Sequence, residues 1–401
     1  MRYFLITLLG LIVLSCGSTI QNEEDIGNLS WNEITQRAEG KTVNWMMWQG
    51  SPYVNDYINN YVIPEVKKRH NINLEISSGQ GNQIVSILLT EIEAGKEVSE
   101  VDMAWINGET FYQLRQIDAL YGPFTERLPN AKYVDFNNPF IKYDFQKEVN
   151  GYEAPWSITQ WVMLYNTANV DNPPQNMQQL EAYVKANPST FTIPNEFVGM
   201  TFLKSLLVEL AGEETLYGEF DEQAYQKYSG QLWEYINRIK PYFWKEGETF
   251  PSTIGAMDQM FATGELNFSM RFGVNAIDNQ VVDGSYPKSA RAYAWSSGTI
   301  QNTNYVGIMK HSGNKAAAMV VANFLLSPEA QYEKRKMSRN GSRTVLEEEK
   351  LPEEWRRKFE NAAQSNYAPP RDSLEKKALQ ELGPEYMINL FDDFRKEVIQ
   401  Q

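Results

Sequence analysis

The sequence predicts an α/β protein with two lobes, each a mostly parallel sheet flanked by helices. Three observations point there. The chain has 401 residues, and chains beyond about 250–300 residues outgrow a single core and split. Strand and helix signatures alternate with short connections from 41 to 120, which argues for a parallel sheet with helices on both faces. A second strand-helix alternation lies at 252–282, beyond an extended segment at 150–166.

The elements follow in order. Residues 1–15 form a separate object: Arg2 gives a positive start, and Tyr3 to Leu14 is apolar apart from Thr7 and Gly10. The run is shorter than the roughly 20 residues a bilayer span needs and fits a signal-peptide core. It ends in "VLSCG", where Ser15-Cys16 resembles the lipobox at which a bacterial lipoprotein is cut and acylated. Cys16 is the single cysteine, so no disulfide is expected. Residues 16–36 read as a polar lipidated tether.

"KTVNWMMW" (41–48) reads as a strand closed by Gln49-Gly50-Ser51-Pro52. Tyr57, Ile58, Tyr61, Val62 and Val66 have helical spacing, which Pro64 should kink or divide. "NINLEIS" (71–77) is a second strand. A helix with Ile84, Ile87, Leu88 and Ile92 on one face follows, ended by Gly95. In "VDMAWINGETF" (101–111), Val101, Met103 and Trp105 alternate as a strand before Asn107-Gly108-Glu109 opens a helix. Ligands of open parallel sheets bind beyond the carboxyl ends of the strands. The loops there are 48–51, 77–81 and 107–109.

Residues 150–166 are extended. A Pro-marked turn and a helix follow in 170–194, and Phe202 to Leu210 is helical before Gly212. The stretch 252–273 reads as a helix, a Gly turn and a strand ending at Arg271, with a helix beginning at Asn275. Residues 293–309 are extended with small polar residues at the centre. The stretch 314–337 is a helix interrupted at Pro328, and the last fifty residues read as helical.

Composition narrows the function. With 37 basic and 51 acidic residues the net charge is −14, which repels nucleic acid. The two histidines, His70 and His311, lie in polar segments away from any Ser or carboxylate motif. No Walker loop, G-x-S-x-G, H-E-x-x-H or G-x-G-x-x-G occurs. Neither an enzyme, a metal site nor a cofactor is expected.

The lipobox at Cys16, "DNPPQNMQQLEAYVKANP", "GAMDQMFATGELNFSM" and "NKAAAMVVANFLLSPEAQ" together resemble bacterial ABC-importer solute-binding lipoproteins, over nearly all of 40–401. "AWINGETF", "LYGPFTERLPN" and "EAPWSITQW" look closest to a subgroup related to thiamine, polyamine, ferric iron and sulfate binders. The resemblance implies a two-lobed periplasmic-binding-protein fold with crossover hinge strands and a cleft that closes on ligand. It implies delivery to a membrane permease served by an ATPase, and an extracytoplasmic, lipid-anchored monomer. The expected division is 37–153 plus 300–340 for the first lobe and 154–299 plus 341–401 for the second.

The candidate ligand residues sit at strand ends and crossings, where a cleft must lie. They are Trp48, Gln49, Trp105, Asn107, Gly108, Glu109, Trp156, Tyr165, Arg271 and Asn275. Each also has a structural reading: Trp105 as core, Glu109 as a helix-terminus acid, Arg271 as a salt-bridge partner rather than an anion hook. Indoles beside a carboxylate suggest a small organic cation, such as thiamine or a polyamine. A sugar or surface glycan, iron or an anion are the alternatives.

Overall fold

The computed structural model describes residues 26–274, 276–339 and 341–400. The signal segment, Cys16 and Asn275 lie outside them. Strands β1 (Thr42–Met47), β2 (Asn73–Ser78) and β3 (Met103–Ile106) pair in parallel in the order β2-β1-β3. Period-two alternation explains their burial. Val43, Trp45 and Met47 enter one core, and Met46 points into a second cluster with Ile84, Leu88 and Phe111. Helices cover both faces, as a parallel sheet requires.

The helical pattern is divided just ahead of Pro64, which lies in the first turn of its last segment. Helix Pro52–Tyr57 passes through a π-helical stretch, Ile58–Val62, into helix Ile63–His70. The wider i→i+5 turn sits where proline has no N–H to give. Pro328 likewise starts a helix, Pro328–Arg335, with Ser327 as its cap.

Strand β4 (Glu153–Asn166) runs through both lobes. Beyond it come β5 (Phe268–Phe272), β6 (Ala290–Tyr293), β7 (Thr299–Met309) and the short β8 (Ala378–Gln380). The first half of β4 pairs antiparallel with β7, from Glu153↔Gly307 to Gln160↔Gln301. Its second half pairs with β5 on one edge and β6 on the other. The far end of β7 pairs with β3, and its near end with β8. Two adjacent crossovers therefore join the lobes. β5 runs one residue past the expected end at Arg271, and β8 is a strand in a tail expected to be helical.

Each lobe has its own core. Trp45, Trp156, Val306 and Met319 belong to the first, and Trp161, Phe202, Leu206 and Trp233 to the second. The sequence expectation placed 341–401 with the second lobe. Val345, Leu346, Leu351 and Phe359 instead pack in the first core, and Leu379 onward in the second. Among the described residues no helix is long and apolar enough to cross a membrane.

Candidate functional site

The carboxyl ends of β1 and β3 face the second lobe, and their side chains are tied to the crossovers. The Trp105 indole N–H donates to Asn107 Oδ1 at 3.0 Å and to Asn304 Oδ1 at 3.2 Å. Asn107 Nδ2 donates to Asn304 Oδ1 at 3.0 Å, and Asn304 Nδ2 reaches Thr159 Oγ1 at 3.4 Å. This polar chain links the loop after β3 to both crossover strands. Trp48 packs edge-on against Trp105, with centroids 5.9 Å apart at 83°. It is 39% exposed, an unusual state for an indole held by a second indole. Gln49 beside it is exposed, and its carbonyl accepts from Asn55.

Gly108 has φ +44°, and its N–H donates to the buried Asp144 carboxylate. A Cβ there would overlap the Phe145 ring. Burial pushes the Glu109 carboxyl above the usual range, and the Lys204 ammonium of the second lobe pulls it partly back. Lys204 is fully buried in helix Phe197–Ala211 and paired with Glu381. Burial pulls the Lys204 ammonium below its ordinary value, against the opposing pull of Glu381 and Glu109. It lies 4.8 Å from the Phe145 ring and 5.5 Å from Phe197, which stack across the lobes. The Lys204 charge that acts on Glu109 is itself paired with Glu381.

Two of the expected lining residues pack against aromatic side chains of their own lobes. Trp156 is 1% exposed and packs edge-on against Trp45 at 6.0 Å and Trp105 at 4.9 Å. Its large apolar area is spent in the first core. Tyr165 lies further along β4, roughly 30 Å past Trp156 at about 3.3 Å per residue, edge-on to Tyr293 in the second lobe. Arg271 is at the seam and makes no ion pair among the described residues; its Nη1 reaches Tyr286 Oη at 3.4 Å.

The profile of the family described as "Bacterial extracellular solute-binding protein" matches residues 62–363. The chain belongs to this family. It is 33% identical over 344 residues to Protein YnjB of Escherichia coli (strain K12), covering 84% of this chain and 88% of that one. Among solved structures it resembles the spermidine/putrescine ABC transporter substrate-binding protein PotD of Streptococcus pneumoniae. The TM-score there is 0.62 at 14% identity, over 89% of this chain and 99% of that chain. It also resembles iron-bound HitA of Pseudomonas aeruginosa, with a TM-score of 0.60 at 14% identity, over 88% and 98%. At such identities the structural likeness is one of fold.

In this member of the extracellular solute-binding family, the seam between the lobes uses residues that sequence reasoning passed over. The Tyr53 hydroxyl of the first lobe donates to Asp283 of the second. Asp56 pairs with Arg339, whose carbonyl accepts from Asn279 at 3.0 Å. Gln146 Nε2 donates to the Glu381 carbonyl at 2.7 Å. Asn304 had a visible signal: Gln301, Asn302, Thr303 and Asn304 are polar yet lie in a strand, and all four are buried. Lys204 had none, because a lysine in an apolar helix reads as its exposed face.

Proposed function

We propose that this protein is the solute-binding component of an ABC importer, taking a small organic cation between its lobes and handing it to a membrane permease served by an ATPase. The observation that carries this reading is the Trp48 indole. It is exposed, held by Trp105, and placed beside the Asn107–Asn304 amides where the lobes meet. A cation over such a face gains about 0.5–2 kcal/mol, and the amides supply orientation. The PotD likeness supports the importer assignment, and the net charge of −14 favours a cation over an anion at long range. Cys16 would carry the lipid anchor; Cys16→Ala should move the protein out of the membrane fraction or leave it unprocessed, and a lipidated, membrane-bound Cys16→Ala protein would refute this.

A thermal-shift panel of thiamine, polyamines, betaines, oligosaccharides, ferric chelates and sulfate tests the solute. A ligand at 100 times its Kd stabilises the fold by about 2.7 kcal/mol, a readable shift. Trp48→Ala should weaken a cationic hit by about twofold to thirtyfold, the range spanned by those ring-face energies. A hit limited to sugars, or one indifferent to Trp48→Ala, would overturn the cation reading.

A further inference from the structure

Arg271 is half-buried. The buried Arg335 and the half-buried Arg343 each hold a glutamate, Glu348 and Glu375, and the fully buried Lys334, which has no acid, is held by the Trp156 carbonyl and Gln331. Arg271 has no carboxylate at ion-pair distance among the described residues, and its buried Nε has no hydrogen-bond partner. Its one hydrogen bond is the long contact to Tyr286. Asp258, whose charge reaches it, accepts from Ser269 Oγ at 2.7 Å instead. Asp283 accepts from Tyr53. The buried Nε has given up hydration that no protein acceptor replaces, and this costs stability. The alternatives open for this residue, ion-pair partner or anion hook, are therefore no longer even.

Its position supplies the second argument. Arg271 lies next to the end of β5, and Tyr53 reaches over from the opposite lobe. On β4 the strand partner of Arg271 is Val162, two residues past the stretch of β4 that pairs with β7, and the Tyr53 phenol, bonded to Asp283 across the seam, feels the Arg271 charge. Beside it, a Cβ built on Gly273 meets nothing within 4 Å, so the adjoining turn has open space. A guanidinium offers parallel N–H donors to a carboxylate or a phosphate.

We infer that Arg271 is an anion-binding residue of the cleft, and that the captured solute carries a carboxylate or phosphate group in addition to its positive part. This rests on the solute-binding reading above and adds a second charge to the ligand.

The test uses the full-length mature protein and matched probes: choline, glycine betaine and phosphocholine; thiamine and thiamine monophosphate; and sodium phosphate or acetate against sodium chloride at equal ionic strength. In at least one set the anion-bearing member should bind ten times tighter or better than its cation-only partner. Arg271→Gln should abolish that advantage, and Arg271→Lys should keep part of it. The betaine and phosphate arms separate carboxylate from phosphate. Without any organic ligand, Arg271→Gln should keep or raise the melting temperature, since it removes an unpaired charge. Phosphate or acetate should raise the melting temperature of the wild type above that in chloride, but not that of Arg271→Gln. A lower melting temperature for unliganded Arg271→Gln, no anion effect in the wild type, or the same effect in the variant would overturn the inference. Tight cation-only binding with no gain from an anion would sink it and leave the proposed function standing. Anion stabilisation through Arg271, with no organic cation bound, would do the reverse.

Discussion

Gly108→Ala is the sharpest probe of the loop that carries Asn107. Two costs add at this position. The left-handed backbone, φ +44°, costs an alanine about 1 kcal/mol. The new methyl would also enter the Phe145 ring, and overpacking of this kind costs about 1–3 kcal/mol. Phe145 cannot simply retreat, because Phe197 stacks on it and the Lys204 ammonium lies 4.8 Å from its ring. The sum is about 3 kcal/mol, or roughly 6–12 °C in melting temperature at 2–4 °C per kcal/mol, read by scanning calorimetry. Gly95→Ala is the control. Its φ is +65°, but nothing lies within 4 Å of the added Cβ, so only the backbone cost of about 1 kcal/mol applies. If Gly108→Ala melts within about 2 °C of Gly95→Ala, Phe145 does not clamp this turn and the reasoning fails.

Trp156→Ala should cost about 3–5 kcal/mol in urea unfolding, as for a large buried side chain; a loss under 1 kcal/mol would mean that Trp156 belongs to the cleft after all. Glu153 and Asp144 are both fully enclosed, and burial first, then their mutual repulsion for Glu153, raises both carboxyls well above the usual range. The unfolded chain then releases these protons at lower pH than the fold does. The stability tied to them is fully present below their ordinary values of 4.5 and 3.8 and is lost as pH rises toward the folded values. Glu153→Gln should flatten the fall of melting temperature with pH above about 4.5; an unchanged slope would remove the pair from the pH dependence.

The first lobe was legible because its strands are short, alternate cleanly and end in turn residues. Thr42–Met47 and Met103–Ile106 were readable from period-two burial, and Gly95 from its place after the helix. Pro64 signalled a division of its helix, but a single proline does not reveal that a π turn will occupy it. In the site, Trp48, Trp105 and Asn107 could be found as residues just past strands. Trp156 and Tyr165 could not be sorted, since successive residues of one long strand serve a core, a seam and a second core. The influence of Lys204 on Glu109 was not legible, because Lys204 lies almost a hundred positions away, on a helix whose apolar residues hid it.

The two crossover strands bear on how closure proceeds. β4 and β7 are bonded to each other from Glu153↔Gly307 to Gln160↔Gln301, with a bulge between Asn304 and Tyr305. Separate linkers would let the lobes slide, twist and tilt independently. A bonded ribbon resists shear in its own plane and yields chiefly by flexing at the bulge, where the ladder is interrupted. The pair would therefore act as a leaf spring with one soft direction, and under the proposed function occupancy of the cleft would be expressed as a single angle.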